Sequence, residues 1–189
     1  MDFGLGTILL IIVGLIVLYV IITYNALVRL RQMVREAWSG IDVQLKRRAD
    51  LIPNLIETVK GYAAHERGTL EEVTQLRARA QGMPSDDVAG RAQVEGMLSQ
   101  ALGRLFAVAE AYPDLKANQN FAQLQATLET LEGEIQMSRR YYNGAARDLN
   151  IKVESFPSNL VAGVFGFSKA DFFEIENPAD RAVPQVSFS

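Results

Sequence analysis

The sequence predicts an all-α protein in which one N-terminal transmembrane helix continues into a body of long helices. The first reason is an apolar run. No charged side chain occurs from Phe3 to Val28, and 14 of the 18 residues from Leu5 to Ile22 are Leu, Ile or Val. The second reason is that apolar residues in the rest of the chain recur at helical spacing, whereas half-buried strands would require alternation.

The apolar run has the length of a membrane span. Its residues rise about 27 Å in an α-helix, which approaches the bilayer hydrocarbon thickness of about 30 Å. No Lys or Arg precedes the run and no small-residue cleavage motif follows it, so we expect residues 1–24 to form an uncleaved signal anchor. Arg29, Arg31 and Arg35 follow the span. The positive-inside rule therefore predicts an external N-terminus and a cytoplasmic body.

Residues 25–157 are predicted to form a single helical domain. Its first helix continues from the anchor, because apolar residues keep a seven-residue repeat along one seam. The seam contains Leu27, Val34, Trp38, Ile41, Leu45, Ile52, Leu55, Val59 and Tyr62. Pro53 leaves the repeat in phase, so we expect a continuous helix with a kink. Arg31 and Arg48 interrupt the seam, and they need partners or water because an unpaired buried charge is costly.

Further helices are predicted by start and stop signals. Thr69 and Glu72 fit a capping box, so one helix is expected to begin near Gly68. Helix breakers in residues 82–87 open the next helix. Its expected core face is Leu98, Leu102, Leu105, Ala109 and Tyr112. The last long helix carries a heptad repeat that Pro157 ends. This repeat contains Phe121, Leu128, Ile135, Tyr142, Leu149 and Phe156.

Residues 158–189 form a tail of different character, for which we expect a short helix or turn and then an extended segment. Two interpretations stay open for its large apolar side chains. They cover one end of the helical body, or they form a patch for a membrane surface or a partner. These side chains are Leu160, Phe165, Phe167, Phe172 and Phe173.

The composition excludes several kinds of chemistry. The chain has no Cys and one His, His65, so a thiol nucleophile, a cysteine-ligated metal and a two-histidine zinc motif cannot be built. The sequence contains no phosphate-binding glycine loop, and its net charge of −3 argues against nucleic acid as a partner. We therefore predict no catalytic residue, no metal and no cofactor, and we interpret the chain as a non-enzymatic protein.

A partner interface is predicted along the first helix, because this helix is expected to be longer than its intramolecular cover. Leu27, Val34 and Trp38 would then form an exposed stripe beside the bilayer, which favours association with a second copy or another membrane protein. The basic run 46–48 is either a contact for acidic lipid or an acidic partner, or a solvated helix face. The candidate interface residues are Leu27, Arg31, Val34, Trp38, Lys46, Arg47, Arg48, Phe165, Phe167, Phe172 and Phe173.

Several segments resemble sequence blocks of the LemA family. These segments are 24–29 (YNALVR), 37–66, 112–117 (YPDLKA), 140–143 (RYYN) and 155–162 (SFPSNLVA). Because the matches follow one another in order from residue 24 to about 174, the resemblance is highly specific. It implies a bacterial membrane protein with an N-terminal anchor, an antiparallel four-helix bundle of the bromodomain-like type, and no established activity.

The resemblance also directs the functional hypotheses. A magnetosome-membrane protein is similar too, which favours a part in the organisation of membranes. Our first hypothesis is a single-pass scaffold of the bacterial inner membrane, which binds the lipid bilayer through its anchor and a protein partner or a second copy through its body. The alternative is a sensor that binds a small ligand or lipid between its helices. A buried cavity with polar lining would favour the sensor, and a close-packed interior would favour the scaffold.

Overall fold

The computed structural model describes residues 4–63 and 65–174, and these ranges contain helices and turns but no strand. The helices are α1 Leu5–Lys60, α2 Arg67–Gln81, α3 Val88–Ala109, α4 Pro113–Lys116, α5 Gln119–Glu154 and α6 Ser158–Val164. The predicted all-α class is confirmed. The described residues divide into a first compact unit, up to Ser39 with Arg140–Asp171, and a second, Gly40–Arg139 with 172–174. The predicted domain boundaries at residues 24 and 157 stay predictions.

Helix α1 is a single helix of 56 residues that passes through Pro53. An 18-residue window near its N-terminus is long and apolar enough to cross a membrane, by length and composition, and none of this window is buried within the protein. Its aliphatic side chains, such as Leu10 and Ile16, are more than half exposed. A core helix of a soluble protein would bury such side chains, so the exposure fits contact with lipid.

The continuous course of α1 depends on a contact with α2. Pro53 has no backbone N–H, so the carbonyl of Ala49 receives no hydrogen bond from the residue four positions later. The Nε atom of Arg77 in α2 donates to this carbonyl oxygen at 2.7 Å. Because Ala49 is buried, an unpaired carbonyl there would be costly, and the Arg77 guanidinium removes this cost.

The core of the second unit is built from α1, α2, α3 and α5, and the short α4 closes it with Leu115. Helices α1 and α3 supply most of the buried side chains, and α2 adds Leu70 and Val73. The predicted core positions Leu98, Leu102 and Leu105 are buried. Asp87 caps α3, because its side chain accepts a hydrogen bond from the Gly90 N–H at 2.9 Å, as the predicted loop requires.

The predicted helix start near Gly68 is confirmed, since α2 begins at Arg67, but the predicted capping box is wrong. Thr69 lies within α2, and the capping residue Glu66 makes no side-chain capping bond. The Glu66 carbonyl accepts the Leu70 N–H at 3.2 Å. Tyr112 lies beyond α3, which ends at Ala109, yet it is partly buried and packs against the core of the second unit, as predicted.

In the first unit, α1 and α5 run antiparallel. The Trp38 ring packs against Tyr142, with ring centroids 5.6 Å apart, and Tyr24 lies 4.9 Å from Phe165 of the tail. Later residues in the chain thus contact earlier positions of α1. Helix α6 is the predicted short helix. Residues 167–174 after it are non-helical, and the rest of the predicted extended segment, 175–189, lies outside the described residues.

The tail turns back at Gly166, where φ is 68°. The Phe167 N–H donates to the Ala162 carbonyl at 2.9 Å and the Gly166 N–H donates to Gly163 at 3.4 Å. These two bonds form a Schellman motif, in which glycine adopts the left-handed conformation without steric cost. The motif directs the Phe167 ring to Tyr24, with centroids 5.7 Å apart.

The expected exposed stripe on α1 is wrong, because Leu27 is fully buried and Val34 is 9% exposed. The expectation compared the length of α1 with that of α3 only. Helix α5 has 36 residues and continues to Glu154, and the tail then returns to α1, so both of these segments cover it. Trp38 is half-buried.

Phe156 is also placed differently from the prediction. It was expected in the heptad seam of the last helix, but α5 ends at Glu154 and Phe156 is 80% exposed. Among the other tail residues, Phe167 and Phe173 are buried, whereas Leu160, Phe165 and Phe172 are exposed. The interpretation that the tail covers helices therefore holds for Phe167 and Phe173, whereas a membrane or partner contact by the exposed side chains stays a prediction.

We expect Pro53 and Arg77 to be thermodynamically coupled. Arg77→Met should cost about 1.5–3 kcal/mol of unfolding free energy, since it leaves the Ala49 carbonyl without a charged donor. In a Pro53→Ala background the restored backbone N–H competes for this carbonyl, so the same change should cost much less. Urea denaturation of the full chain in micelles, followed by circular dichroism, measures the cycle. Arg79→Met on the exposed side of α2 is the control, and equal costs in both backgrounds would contradict the coupling.

Candidate functional site

Charged side chains from three helices meet inside the second unit around Arg48. Its Nη2 donates to the Glu95 carboxylate at 2.6 Å and its Nη1 donates to Glu132 at 2.7 Å. The Ser99 hydroxyl accepts a further bond from Nη1 at 2.6 Å. The side chains of Arg48 and Glu95 are only 2% and 3% exposed, whereas that of Glu132 is 36% exposed. A buried ion pair thus connects α1 with α3, and a second pair connects α1 with α5.

A second arginine extends the network from the α3 side. Arg91 donates from Nε to Glu95 and from Nη2 to Asp42, each at 3.2 Å. Gln136 donates to the other oxygen of Glu132 at 3.2 Å. Two guanidinium groups therefore face three carboxylates, of which Asp42 and Glu132 are the solvent-accessible members. We call the set Asp42, Arg48, Arg91, Glu95 and Glu132 the charge network.

The sequence predicts that Arg48 needs a partner, but the partners themselves were not predicted. The signal for α3 was present, because Arg91 and Glu95 lie seven residues before Leu98 and Leu102, on the same face of the helix. No comparable signal marks Glu132, since exposed glutamates are common along α5 and burial depends on which helix packs opposite.

The network has the geometry of a structural clamp. The Ser99 hydroxyl lies between the Arg48 guanidinium and the Glu132 carboxylate, 3.3 Å from the latter. Glu132 also accepts from Gln136, so its oxygens are occupied by donors of the protein.

His65 is exposed in the turn before α2. Within the described ranges no group of three or more His, Cys, Asp or Glu side chains could hold a metal ion.

The predicted basic run divides into two environments. Arg48 is buried, whereas Lys46 and Arg47 are exposed on the outer side of α1. Arg47 donates to Glu134 at 3.1 Å and to Gln44 at 2.9 Å, and more than half of its side chain remains accessible. Val43, one turn before this pair, is 54% exposed. We call Val43, Lys46 and Arg47 the outer face of α1.

The first unit brings two other predicted interface residues, Arg31 and Phe167, into contact. The Arg31 guanidinium lies 4.8 Å from the centre of the Phe167 ring, a distance at which a cation–π interaction is favourable. The same ring contacts Tyr24, a residue that the sequence did not single out as a contact. Leu27 and Trp38 lie in the same unit. Arg31 therefore obtains an aromatic partner within the chain.

An open groove lies between α2 and α3, with a volume of about 390 Å³. Its lining is mixed, and Arg104 and Glu72 form a salt bridge of 2.5 Å there. The groove residues are Glu72, Gln75, Leu76, Arg79, Met97, Gln100 and Arg104. Ligand sites in proteins are usually concave and largely apolar, whereas this groove is open and its lining is mixed.

Together these features define an all-helical protein whose first helix is long and apolar enough to cross a membrane. The sequence profile of the LemA family matches residues 37–188. The chain belongs to the LemA family, which confirms the resemblance of its sequence blocks.

Individual relatives share 25–30% of their aligned residues with this chain. Magnetosome protein MamQ 2 of Paramagnetospirillum magneticum is 28% identical over 180 residues, which cover 82% of this chain and 66% of that protein. Protein LemA of Metamycoplasma hominis is 30% identical over 138 residues, which cover 73% of this chain and 63% of that protein. Magnetosome protein MamQ of Magnetospirillum gryphiswaldense is 25% identical over 189 residues, or 86% and 70% of the two chains. The chain thus spans about two thirds of the length of these relatives.

Breaking the buried ion pair should destabilise the second unit strongly. Arg48→Met leaves Glu95 buried without its nearest cation, and loss of one partner of such a pair costs about 3–5 kcal/mol. Adding Glu95→Gln should recover most of this loss, because the charge that lost its partner is then absent. Denaturant unfolding of the three variants measures the effect. The matched control is Arg47→Met, for which an exposed ion pair predicts less than about 1 kcal/mol. Equal losses at positions 47 and 48 would contradict the assignment.

Tyr142 should make stability depend on alkaline pH. Burial, together with the nearby Asp171 charge, raises the pKa of the Tyr142 phenol from 10.0 to about 12, and its hydroxyl donates to the Asp171 backbone carbonyl at 2.8 Å. The folded protein therefore keeps this proton to higher pH than the unfolded chain. The stabilisation is complete below pH 10 and is lost as the pH rises toward 12.

The test compares the wild type with Tyr142→Phe in denaturant titrations at increasing pH. At neutral pH the variant should lose about 1 kcal/mol with the hydrogen bond. Above pH 10 the unfolding free energy of the wild type should fall more steeply than that of the variant. Parallel curves over this range would show that Tyr142 does not carry the dependence.

Proposed function

We propose that this protein is a non-enzymatic interaction scaffold, which α1 anchors in a membrane and whose helical body binds protein partners. The observation that carries the proposal is the continuity of α1. One helix contains both the exposed apolar window and buried core positions such as Ile41 and Ile52. A partner bound to the body would therefore be held at the membrane.

The proposed architecture of the body is an antiparallel four-helix bundle of the bromodomain-like type. It is supported by the shared core of α1, α2, α3 and α5 in the second unit. The charge network gives this bundle polar contacts between α1, α3 and α5. Its carboxylates are held by arginines, which is the arrangement of a clamp and not of an acid–base pair.

The proposed location is the inner membrane of a bacterium, with a single span, the N-terminus outside and the body in the cytoplasm. Arg29, Arg35, Lys46 and Arg47 are exposed on the C-terminal side of the apolar window, and this asymmetry supports the orientation. Two of the relatives named above are magnetosome proteins by name. This name supports a part in the organisation of membranes.

The proposed contact surface is the outer face of α1. Val43 is a large apolar side chain that is 54% exposed, and exposed basic residues follow it at helical spacing. Such a surface fits a partner with acidic and apolar groups, including another membrane protein or a second copy of this chain. The alternative of a small-ligand or lipid-binding sensor relies on the groove between α2 and α3, whose open form and mixed lining give it less support.

Crosslinking in cells tests both the scaffold and its orientation. The chain has no native Cys, so Val43→Cys can carry a thiol-reactive photocrosslinker at one defined place. We expect defined protein adducts when a membrane-permeant reagent is applied to intact cells, and none when an impermeant one is applied. Mass spectrometry identifies the adducts, and an adduct of twice the chain mass identifies a second copy.

The matched control is Ala78→Cys on the exposed side of α2, which should give fewer adducts. If neither position gives a protein adduct with the permeant reagent, the scaffold proposal fails. Equal labelling of Val43→Cys by the impermeant reagent in sealed cells would instead reject the cytoplasmic location and leave the scaffold intact.

A further inference from the structure

The end of α5 and the following helix α6 expose an unusual amount of apolar surface. Residues 155–168 contain no charged side chain. Within this segment Val164 is 81% exposed, Phe156 80%, Leu160 61% and Phe165 49%. We call these four residues the corner patch. Exposed apolar groups that lie singly need no explanation, but a contiguous cluster usually marks a surface that is covered in the functional state.

Contacts within the first unit place the corner patch at the end of the apolar window. The Phe165 ring packs edge-on against Tyr24 at 4.9 Å. Tyr24 is two residues after Ile22, so it lies about 3 Å beyond the last aliphatic residue of the predicted span.

The register of α5 against α1 gives the same position independently. Trp38 and Tyr142 face each other. From this pair, Tyr24 lies 14 residues back along α1, a rise of about 21 Å, and Glu154, the last residue of the antiparallel α5, lies 12 residues forward, a rise of about 18 Å. The end of α5 therefore lies within about 3 Å of the level of Tyr24, and Phe156 follows it two residues later. Two different contacts thus bring the corner patch to the boundary at which α1 would leave the hydrocarbon.

We infer that the corner patch inserts into the interfacial region of the bilayer beside α1, as a second membrane contact of the same chain. This inference rests on the proposed membrane anchoring of α1. Apolar side chains of interfacial segments enter the headgroup and acyl boundary to a depth of about 5–10 Å. A patch at the level of Tyr24 needs no rearrangement to reach this depth.

The chemistry of the corner favours lipid as the occupant. Insertion of residues 155–168 buries no charge, because this segment contains no charged side chain. The flanking residues Glu154 and Lys169 form an ion pair of 2.7 Å with each other. The hydroxyl of Ser158 donates to backbone carbonyls of the chain, at 2.7 Å to that of Lys152. Arg29 is exposed about 10 Å beyond Ile22, where a guanidinium would meet headgroup phosphates. The surroundings are thus apolar at the patch and cationic just above it.

Depth-dependent fluorescence quenching tests the inference on the full chain in nanodiscs of phosphatidylcholine and phosphatidylglycerol. Because the chain has no native Cys, Val164→Cys can carry a single environment-sensitive fluorophore, and Leu160→Cys provides a second site. Both side chains point outward, so these changes leave the packing intact. We expect the emission to shift to shorter wavelength and to lose intensity when lipids with a nitroxide near the headgroup replace ordinary lipids.

The matched control is Tyr141→Cys, an exposed position of α5 in the same unit, about 20 Å along the helix from its end at Glu154. Its emission should stay that of a label in water, and nitroxide lipids should not quench it. Ile16→Cys in the apolar window reports the anchor itself, and a nitroxide deep in the acyl chain should quench it.

The outcomes separate the two proposals. Quenching of Ile16→Cys without quenching at positions 160 and 164 overturns the second membrane contact and leaves the anchor. A blue shift at position 164 without lipid quenching means that protein covers the patch, most simply a second copy, and this also overturns the inference. If Ile16→Cys is not quenched, the proposed anchoring fails.

Discussion

Helix α1 carries both an exposed apolar window and buried core positions, and the other helices pack against it. In lipid, every backbone N–H and C=O of a span must be paired within the helix, and its side chains must be apolar outward, as Leu10 and Ile16 are. Further along the same helix, Ile41 and Ile52 face a protein core. Helices α3 and α5 pack against this helix, and the tail contacts it at Tyr24.

The buried Arg48 limits the number of registers in which the heptad seam of α1 can pack. A seam of repeating aliphatic residues packs almost equally well after a shift of seven residues. Such a shift of α1 would bring Ile41 or Leu55 to the place of Arg48 and remove the nearer cation of Glu95, which would keep only Arg91 at 3.2 Å. Loss of one partner of a buried ion pair costs about 3–5 kcal/mol. The charge network thus selects one register among several that hydrophobic packing alone would allow, at some cost in desolvation.

The features that the sequence predicted well are those decided locally. The helical class, the course of α1 through Pro53, the cap at Asp87 and the short α6 follow from periodicity and from the preferences of individual residues. The need of Arg48 for a partner was also predictable, because it follows from the cost of an unpaired charge. Which carboxylates meet that need was not, since it depends on the packing of α3 and α5.

The wrong predictions also concern contacts between distant parts of the chain. Leu27 and Val34 were expected to be exposed, but α5 and the tail cover them. This cover could not be predicted from the local pattern of α1. Phe156 fits the heptad on paper, yet α5 stops two residues before it. Of the candidate interface residues, Lys46 and Arg47 are accessible to a partner in this structure, whereas Arg48, Leu27 and Phe173 are not. Their role in recognition stays a prediction.

The absence of a loop after the apolar window has a mechanical consequence. A span that does not match the local hydrocarbon thickness accommodates the difference by tilting, at a cost of fractions of a kcal/mol per Å. Within the first unit α1 continues without a linker from the apolar window to Ser39, so any tilt of the span would also tilt the segment that carries Arg31 and Trp38. Differences in bilayer thickness between membranes would thereby change the angle at which this segment meets the membrane surface.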